Sequence, residues 1–242
     1  MTEGRLSVAI LAGGRATRLR PLTTNIPKAL IDINGEPFIA HQLRLLRANG
    51  ITRVVICVGY RGKMIQEYLG NGARFGLEVR FAFDGPRLLG TAGALKQALP
   101  LLGKAFFVLY GDSYLPCNYL TVQTAFEQSG RPALMTVLRN HGRWDSSNVD
   151  FVDGKILEYN KHDPTLRMHH IDYGLGVFDR AALMGVPDAQ SYDLATLYQE
   201  LAAQGDLAAY EVDQRFYEIG SFVGLEETRQ YLGSMHALKE RT

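Results

Sequence analysis

Residues 9–30 read AILAGGRATRLRPLTTNIPKAL: an apolar run, two glycines, three arginines and a lysine behind the second proline. Apolar residues 8–11 are typical of a buried strand, and ligands of open α/β sheets bind where such strands end. We expect Gly13 and Gly14 to adopt positive φ and to let backbone N–H groups approach a ligand. Four cations over the same span predict a polyphosphate cradle: Arg15, Arg18, Arg20 and Lys28.

The rest of the first half alternates between strand and helix patterns. Apolar or alternating runs predict strands at residues 54–58, 77–83 and 105–112. Helical spacing of apolar residues predicts helices at residues 37–48, 63–69 and 93–102. Strands that alternate with helices in this way indicate a parallel sheet with both faces covered.

The second half has a different pattern. Strands are predicted at residues 132–138 and 171–178, two short strands around an Asp153–Gly154 turn, and helices at residues 194–205 and 225–238. The sequence contains no repeat or linker. We therefore expect a single domain over residues 1–242, with a mixed sheet and a small substrate-facing lobe.

Composition restricts the classes of partner. A formal net charge of +1 provides no general field for nucleic acid or an anionic membrane, and no apolar stretch approaches the ~20 residues of a membrane span. Cys57 and Cys117 have neither metal-ligand nor disulfide spacing, which favours a reducing compartment. We expect a cytoplasmic protein without nucleic-acid or membrane partners; the sequence does not indicate its oligomeric state.

Common phosphate and hydrolase motifs are absent. The loop contains neither G-x-x-x-x-G-K-[ST] nor G-x-G-x-x-G, and the chain has no G-x-S-x-G elbow. His169 and His170 are adjacent, which is poor spacing for a metal. Asp112 ends an apolar strand after Gly111, and a carboxylate there is well placed to hold Mg²⁺ beside phosphates.

A longer pattern resembles a known family. L-A-G-G-x-x-T-R-L-x-P-L-T followed by P-K is similar to the signature of the sugar-1-phosphate nucleotidyltransferases. Further segments follow in the family's order: GTAGAL (90–95), YGDSYL (110–115), EYNK (158–161), IDYGLGVF (171–178) and FYEIGSFVGLEETRQYL (216–232). The chain looks most like bacterial heptose- or mannose-1-phosphate guanylyltransferases. The resemblance implies a Rossmann-like (GT-A type) three-layer sandwich with a mainly parallel, mixed central sheet.

The resemblance also implies an activity and its residues. Such enzymes join a nucleoside triphosphate to a sugar 1-phosphate and release pyrophosphate, and GTP is the favoured triphosphate here. The implied catalytic residues are Arg18, Lys28 and Asp112. The implied nucleotide-binding residues are Leu11, Ala12, Gly13, Gly14, Arg15, Asp84, Gly90 and Thr91. The implied sugar-phosphate-binding residues are Asn148, Glu158, Lys161, Asp172 and Gly174, with Tyr173 as a wall for the sugar ring.

One position departs from the family pattern. The family usually has aspartate, its second metal ligand, where this chain has Glu218. The expected Mg²⁺ ligands are therefore Asp112 and Glu218, and the alternative is that Glu218 only makes a structural ion pair. Two other functions stay open: a cytidylyl- or uridylyltransferase for another phosphorylated sugar or alcohol, and a non-catalytic nucleotide-sugar sensor.

Overall fold

The computed structural model describes residues 4–239, with side chains to residue 235. Six α-helices lie in this range: α1 (Phe38–Ala48), α2 (Gly62–Leu69), α3 (Gly90–Ala98), α4 (Tyr119–Ser129), α5 (Leu194–Gln204) and α6 (Phe222–Lys239). The strands described are β1 (Ser7–Leu11), β2 (Asp32–Ile33), β3 (Glu36–Pro37), β4 (Arg53–Val58), β5 (Glu78–Phe83), β6 (Ala105–Tyr110), β7 (Ser113–Tyr114), β8 (Ala133–Arg139), β9 (Val149–Val152), β10 (Lys155–Tyr159), β11 (His170–Asp179), β12 (Leu207–Val212) and β13 (Tyr217–Glu218). Within residues 4–239, no helix is both long and apolar enough to cross a membrane.

Nine of the described strands form one mixed sheet. Its main order is β10-β9-β11-β6-β1-β4-β5, with β8 paired to β11 and β12 paired to β8. Strands β5, β4, β1 and β6 run parallel, as the alternation in the first half predicts. Strand β11 runs antiparallel to β6 and β8, which makes the sheet mixed where the second half joins it.

Helices cover both faces of the sheet and complete three layers. The sheet divides the core into two clusters. In strand β6, Phe107 and Leu109 belong to one cluster, and Phe106 and Val108 belong to the other. The first cluster includes buried residues of α1, α2 and α4, and the second includes those of α3 and α5. The α/β sandwich expected from the sequence is therefore confirmed.

Several local predictions are confirmed and others are wrong. Asp153 and Gly154 have φ of 49° and 78°, which is the turn expected between β9 and β10. Helix α4 and strand β12 were not predicted, although Asn118 caps α4 by accepting hydrogen bonds from the N–H groups of Leu120 and Thr121. The third predicted helix begins earlier, at Gly90, and its α-helical part ends at Ala98, before Pro100.

A third core cluster fixes the loop after β1. Leu19, from that loop, packs in a cluster with Tyr114 of β7 and with Ile219, Leu225 and Leu232, which lie before and within α6. Strands β7 and β13 form a two-stranded ribbon in which Glu218 pairs with Ser113. These contacts bring the beginning of the chain and its last helix to Asp112, at the carboxyl end of β6.

Candidate active site

Two cavities meet at the carboxyl edge of the parallel strands. The glycine-lined cavity, of about 260 Å³, lies between the loop after β1 and the start of α3, and its wall includes Gly13, Gly14, Gly90 and Gly111. The charged cavity, of about 490 Å³, is lined by residues that include Arg18, Lys161, Asp172 and Glu218. Tyr110 and Asp112 line both cavities, so molecules bound in the two cavities would meet at Asp112.

Most of the residues singled out from the sequence line these cavities. The glycine-lined cavity includes Lys28 and seven of the predicted nucleotide-binding residues: Leu11, Ala12, Gly13, Gly14, Asp84, Gly90 and Thr91. The charged cavity includes Arg18 together with Asn148, Lys161, Asp172 and Gly174. Arg15 is exposed and lines neither cavity. Glu158 also lies outside both, and its carboxylate pairs with Arg167 at 3.2 Å.

The two glycines of the opening loop do not act as expected. Neither Gly13 nor Gly14 has positive φ; Ala16, with φ of 49°, is the residue of this loop that adopts the left-handed region. A Cβ at Gly13 would lie 3.2 Å from the backbone N of Gly59, whereas a Cβ at Gly14 would have no atom within 4 Å. Gly13 therefore packs closely against a second loop, and Gly14 leaves space at the cavity wall.

Asp84 lies beside this glycine packing. Its Oδ2 accepts a hydrogen bond from the N–H of Leu89 at 3.3 Å. Burial raises the pKa of the Asp84 carboxyl, and the Leu89 N–H offsets part of that rise. The same carboxylate oxygen would lie 3.1 Å from a Cβ at Gly59. The cavity thus holds a half-buried acceptor that is fixed by the backbone around it.

The start of α3 is less open to a ligand than the sequence indicates. The N–H groups of Ala92 and Gly93 both donate to the carbonyl oxygen of Tyr192, at 2.9 and 3.2 Å. The Thr91 hydroxyl donates to Asp193 Oδ1 at 2.8 Å and accepts from the N–H of Leu194 at 2.7 Å. These hydrogen bonds hold the segment before α5 against α3, so the N–H groups of Ala92 and Gly93 already have a partner within the protein.

Lys28 and Asp112 form the contact at the junction of the cavities. Lys28 Nζ lies 2.7 Å from Asp112 Oδ2, and both side chains are largely covered, with 19% and 30% exposed. Gly220 faces this pair: a Cβ there would lie 3.4 Å from Asp112 Oδ2 and 3.7 Å from Lys28 Nζ. The absence of a side chain at Gly220 therefore keeps the junction accessible.

Glu218 reaches the same place but turns toward the start of α6. Its Oε2 accepts a short hydrogen bond from the N–H of Gly220, and its Oε1 accepts one from the Ser221 hydroxyl at 2.6 Å. A Cβ at Gly224 would collide with the Glu218 carboxylate. Because glutamate is one methylene longer than aspartate, the carboxylate folds back over the first turn of α6, where a negative charge is favourable.

The far part of the charged cavity surrounds Asp172. Asn148 Oδ1 accepts from the N–H of Asp172 and Asp172 Oδ1 accepts from the N–H of Gly174, both at 2.9 Å. Burial raises the pKa of Asp172, while the Gly174 N–H and the Lys161 ammonium lower it. Tyr173 lines the charged cavity, but it is only 1% exposed and packs edge-on against Phe216; its role as a wall for a sugar ring stays a prediction.

An aromatic and cationic group lies at the rim of this cavity, and its arginine was not predicted from the sequence. Arg215 Cζ lies 3.8 Å from the Trp144 ring centroid and 4.7 Å from that of Tyr217. Its guanidinium forms a short ion pair with Glu227. Trp144, Arg215 and Glu227 all line the charged cavity. The position of Arg215 just before the FYEIG segment is the one signal in the sequence that points to it.

Comparison with known proteins defines the class. Residues 7–146, more than half of the chain, match the family model described as nucleotidyl transferase. The chain therefore belongs to the nucleotidyl transferase family. The matched residues contain β1, its loop and Asp112, which are the elements that form the junction of the two cavities.

Curated relatives include transferases of different specificity. A UTP–glucose-1-phosphate uridylyltransferase of Synechocystis sp. is 29% identical over 228 residues, covering 87% of this chain and 58% of the relative. A mannose-1-phosphate guanyltransferase beta-B of Xenopus laevis is 27% identical over 221 residues, covering 89% and 61%. An N-acetylmuramate alpha-1-phosphate uridylyltransferase of Neisseria meningitidis serogroup B is 41% identical over 108 residues, covering 44% and 47%. The chain spans less than two thirds of the length of each of these relatives.

Solved structures share the fold. HddC from Yersinia pseudotuberculosis, complexed with GMP-PN, superposes with a TM-score of 0.76 at 22% identity, covering 94% of this chain and 100% of that one. The inositol-1-phosphate CTP transferase from T. maritima superposes with a TM-score of 0.77 at 20% identity, covering 94% and 95%. The α/β sandwich is thus shared with a protein solved in complex with GMP-PN and with a CTP transferase.

Proposed function

We propose that this chain is a sugar-1-phosphate nucleotidyltransferase that releases pyrophosphate. The observation that carries the proposal is the junction: a glycine-lined cavity and a charged cavity meet at Asp112, where Lys28 is 2.7 Å away. A triphosphate in the first cavity and a sugar 1-phosphate in the second would bring their reacting phosphates to this point. The family match and the names of the relatives support the same class of reaction.

The proposed chemistry is an in-line displacement. An oxygen of the sugar 1-phosphate forms a bond to the α-phosphorus of the triphosphate, and the bond from that phosphorus to the α,β-bridging oxygen breaks. Pyrophosphate leaves with the electron pair. The nucleophile is already an anion, so the reaction needs no general base. Alignment of the two anions can supply about 7–11 kcal/mol of the required acceleration, and fixed positive charge lowers their repulsion.

Three cations of this chain have proposed roles. Arg18, at the exposed rim of the charged cavity, stabilises the β- and γ-phosphates as they depart. Lys28 bridges the reacting phosphates, moving from Asp112 by rotation of its flexible side chain. Lys161, whose Nζ lies 5.9 Å from the centre of the Tyr110 ring, holds the sugar phosphate beside the junction.

The donor set at the junction fits Mg²⁺. This ion prefers one or two carboxylates together with phosphate oxygens and water, and Asp112 and Glu218 both face Gly220. The ammonium of Lys28 already occupies a cation position beside Asp112. We assign Asp112 as the first ligand and Glu218 as the second, which requires one Glu218 oxygen to turn away from Gly220 or Ser221. When bound, Mg²⁺ neutralises charge on the transferred phosphate.

GTP is the proposed triphosphate, and a mannose- or heptose-type 1-phosphate is the proposed acceptor. Guanine presents adjacent N1–H and N2–H donors, which suit a carboxylate acceptor such as Asp84 in the glycine-lined cavity. Uracil and thymine place carbonyl oxygens on both sides of their single imino N–H. A second candidate is a uridylyltransferase, which two of the relatives favour by name.

Pyrophosphate release with Mg²⁺ tests the proposal. GTP, CTP, UTP, dTTP and ATP are crossed with mannose, glucose and heptose 1-phosphates. We expect strong release with one guanosine pair; release with UTP alone would support the second candidate. No release with any pair, although triphosphate binds, would favour a non-catalytic sensor or an acceptor outside this panel.

Arg18→Ala then tests the phosphate role. We expect the variant to lower turnover more than it weakens substrate binding. The matched control is Arg20→Ala, because Arg20 is also exposed but lines neither cavity. Equal effects of the two substitutions would show that Arg18 contributes only general positive charge.

A further inference from the structure

Three residues of the charged cavity also line a second opening. Arg143, Trp144 and Arg215 border the charged cavity and an outer cavity of about 720 Å³, whose wall also includes Arg139, from the end of β8. Arg18, Lys161 and Asp112 line the charged cavity but not the outer one. The shared wall therefore lies between the charged cavity and the outer cavity and includes none of these three residues.

Arg215 is held in a fixed orientation at this wall. Its guanidinium contacts the Trp144 and Tyr217 rings and pairs with Glu227. Tyr217 in turn stacks on Tyr231, with ring centres 3.8 Å apart and planes 15° apart. Within the described part of the chain, Arg215 Nε is buried without a hydrogen-bond partner. A planar fork fixed in this way is suited to an oxyanion.

Arg143 adds a second cation at the same wall. Among residues 4–235, no carboxylate forms an ion pair with its exposed side chain. The neighbouring acid, Asp145, accepts a hydrogen bond from the N–H of Ser146 at 2.7 Å. A sugar 1-phosphate without another charge would engage the cations at the junction and would leave Arg143 without an anion, while Arg215 keeps Glu227 as its partner.

We propose that Arg143 and Arg215 form a second anion subsite, which takes a carboxylate or a further phosphate carried by the sugar away from its anomeric carbon. The subsite makes the acceptor an acidic sugar 1-phosphate. This inference rests on the proposed function, because it treats the charged cavity as the acceptor site. Trp144 covers the subsite and aligns Arg215, so the acidic group is recognised by geometry as well as by charge.

Matched acceptor pairs test the subsite. Glucose 1-phosphate is compared with glucuronic acid 1-phosphate and with glucose 1,6-bisphosphate, and N-acetylglucosamine 1-phosphate with N-acetylmuramic acid 1-phosphate. The measurements are pyrophosphate release, as kcat/KM, and direct binding of each sugar phosphate by calorimetry. We expect the acidic member of at least one pair to be preferred about tenfold or more, the size of one charge-assisted hydrogen bond.

Two variants test whether Arg143 and Arg215 cause the preference for acidic acceptors. Arg143→Gln should bring the acidic-to-neutral ratio close to one, and Arg215→Lys should lower it, because lysine cannot reproduce the fixed fork. Arg139→Gln is the control, since Arg139 lines the outer cavity alone and should leave the ratio unchanged. A ratio that survives Arg143→Gln, or that falls equally with Arg139→Gln, would overturn the assignment.

The outcomes separate this inference from the proposed function. Turnover of the neutral members without preference for acidic ones, in both measurements, would keep the transferase and overturn the subsite. Absence of turnover with every acceptor would count against the transferase. The ratio of binding affinities for the acidic and neutral members would still test the subsite. Tighter binding of an acidic member that Arg143→Gln abolishes supports the subsite; equal binding of both members overturns it.

Discussion

The two cavities that meet at Asp112 are constructed differently. Half of the residues that line the glycine-lined cavity are glycine or alanine, and its shape depends on close approaches such as the one between Gly13 and Gly59. The charged cavity is built from side chains of separate elements, among them Arg18 from the opening loop and Lys161 from the segment after β10. Where the side chains are small, the backbone sets the shape of a wall, whereas a wall of long polar side chains changes with single substitutions. We therefore expect nucleotide binding to tolerate little change and acceptor choice to vary easily.

Asp112→Asn should have the largest effect, because it removes the contact that joins the two cavities. The neutral amide is a weaker partner for Lys28 and for a metal ion than the carboxylate, although the shape is preserved. We expect turnover in the presence of Mg²⁺ to fall by about 100-fold or more, comparable with the loss of one essential electrostatic group. Steady-state pyrophosphate release against Mg²⁺ concentration measures this effect.

Asp145→Asn is the matched control for that measurement. Asp145 also lines the charged cavity, but among the described residues its carboxylate accepts only the local hydrogen bond from the N–H of Ser146. We expect turnover of a neutral acceptor to change only a few-fold, as for other partly exposed charges. Similar losses in both variants would mean that the overall negative charge of the cavity matters, and not the position of Asp112.

A pair of glycine substitutions tests whether the backbone wall is fixed by packing. In Gly59→Ala, the new Cβ would lie 2.9 Å from the Gly13 carbonyl oxygen and 2.7 Å from a Leu88 methyl carbon. We expect a loss of about 1–3 kcal/mol in the free energy of unfolding, typical of overpacking. In Gly14→Ala, no atom lies within 4 Å of the new Cβ, so stability should stay unchanged while triphosphate binding weakens.

Thermal unfolding and calorimetric titration of triphosphate measure the two effects. The contrast requires Gly59→Ala to lower the melting temperature and Gly14→Ala to leave it unchanged. If Gly14→Ala instead destabilised the protein without an effect on binding, the open space beside Gly14 would not belong to the ligand site. If Gly59→Ala were harmless, the wall would be able to move.

Much of the fold is encoded locally and was predictable. The apolar runs of β1, β4 and β6 and the spacing in α1 give both element type and layer, because buried strands and amphipathic helices have different periods. Helix α4 was missed although its Asn118 cap and the following Gly130 are both visible in the sequence. Strand β12 was also missed, since its pairing with β8 is a contact between distant segments.

The site was predictable where one segment carries it and not where segments meet. Lys28 and Asp112 were identified separately, and the structure adds their direct contact. No local pattern reveals that the Tyr192 carbonyl occupies the N–H groups at the start of α3. Arg215 was missed for the same reason, because its role depends on Trp144 and Glu227, which come from other parts of the chain.

Asp84→Asn should have the smallest effect of these substitutions. Its effect on stability should depend on pH. Burial raises the pKa of Asp84 above its ordinary value of 3.8, so the folded state holds this proton more tightly than the unfolded state does. As pH rises from about 3.8 through the raised pKa, ionisation of Asp84 therefore removes stability, and the loss is complete above that pKa. The amide cannot ionise, and its oxygen can still accept the Leu89 N–H.

The variant should consequently melt at a higher temperature than the parent at neutral pH, and the difference should vanish near pH 3.8 and below. Thermal unfolding between acid and neutral pH measures this difference, with Asp145→Asn as a control at an exposed carboxylate. A gain in stability accompanied by a weaker preference for GTP would show that the buried charge is retained for recognition at a cost to the fold. A loss of stability at neutral pH would instead assign the carboxylate to holding the loop before α3.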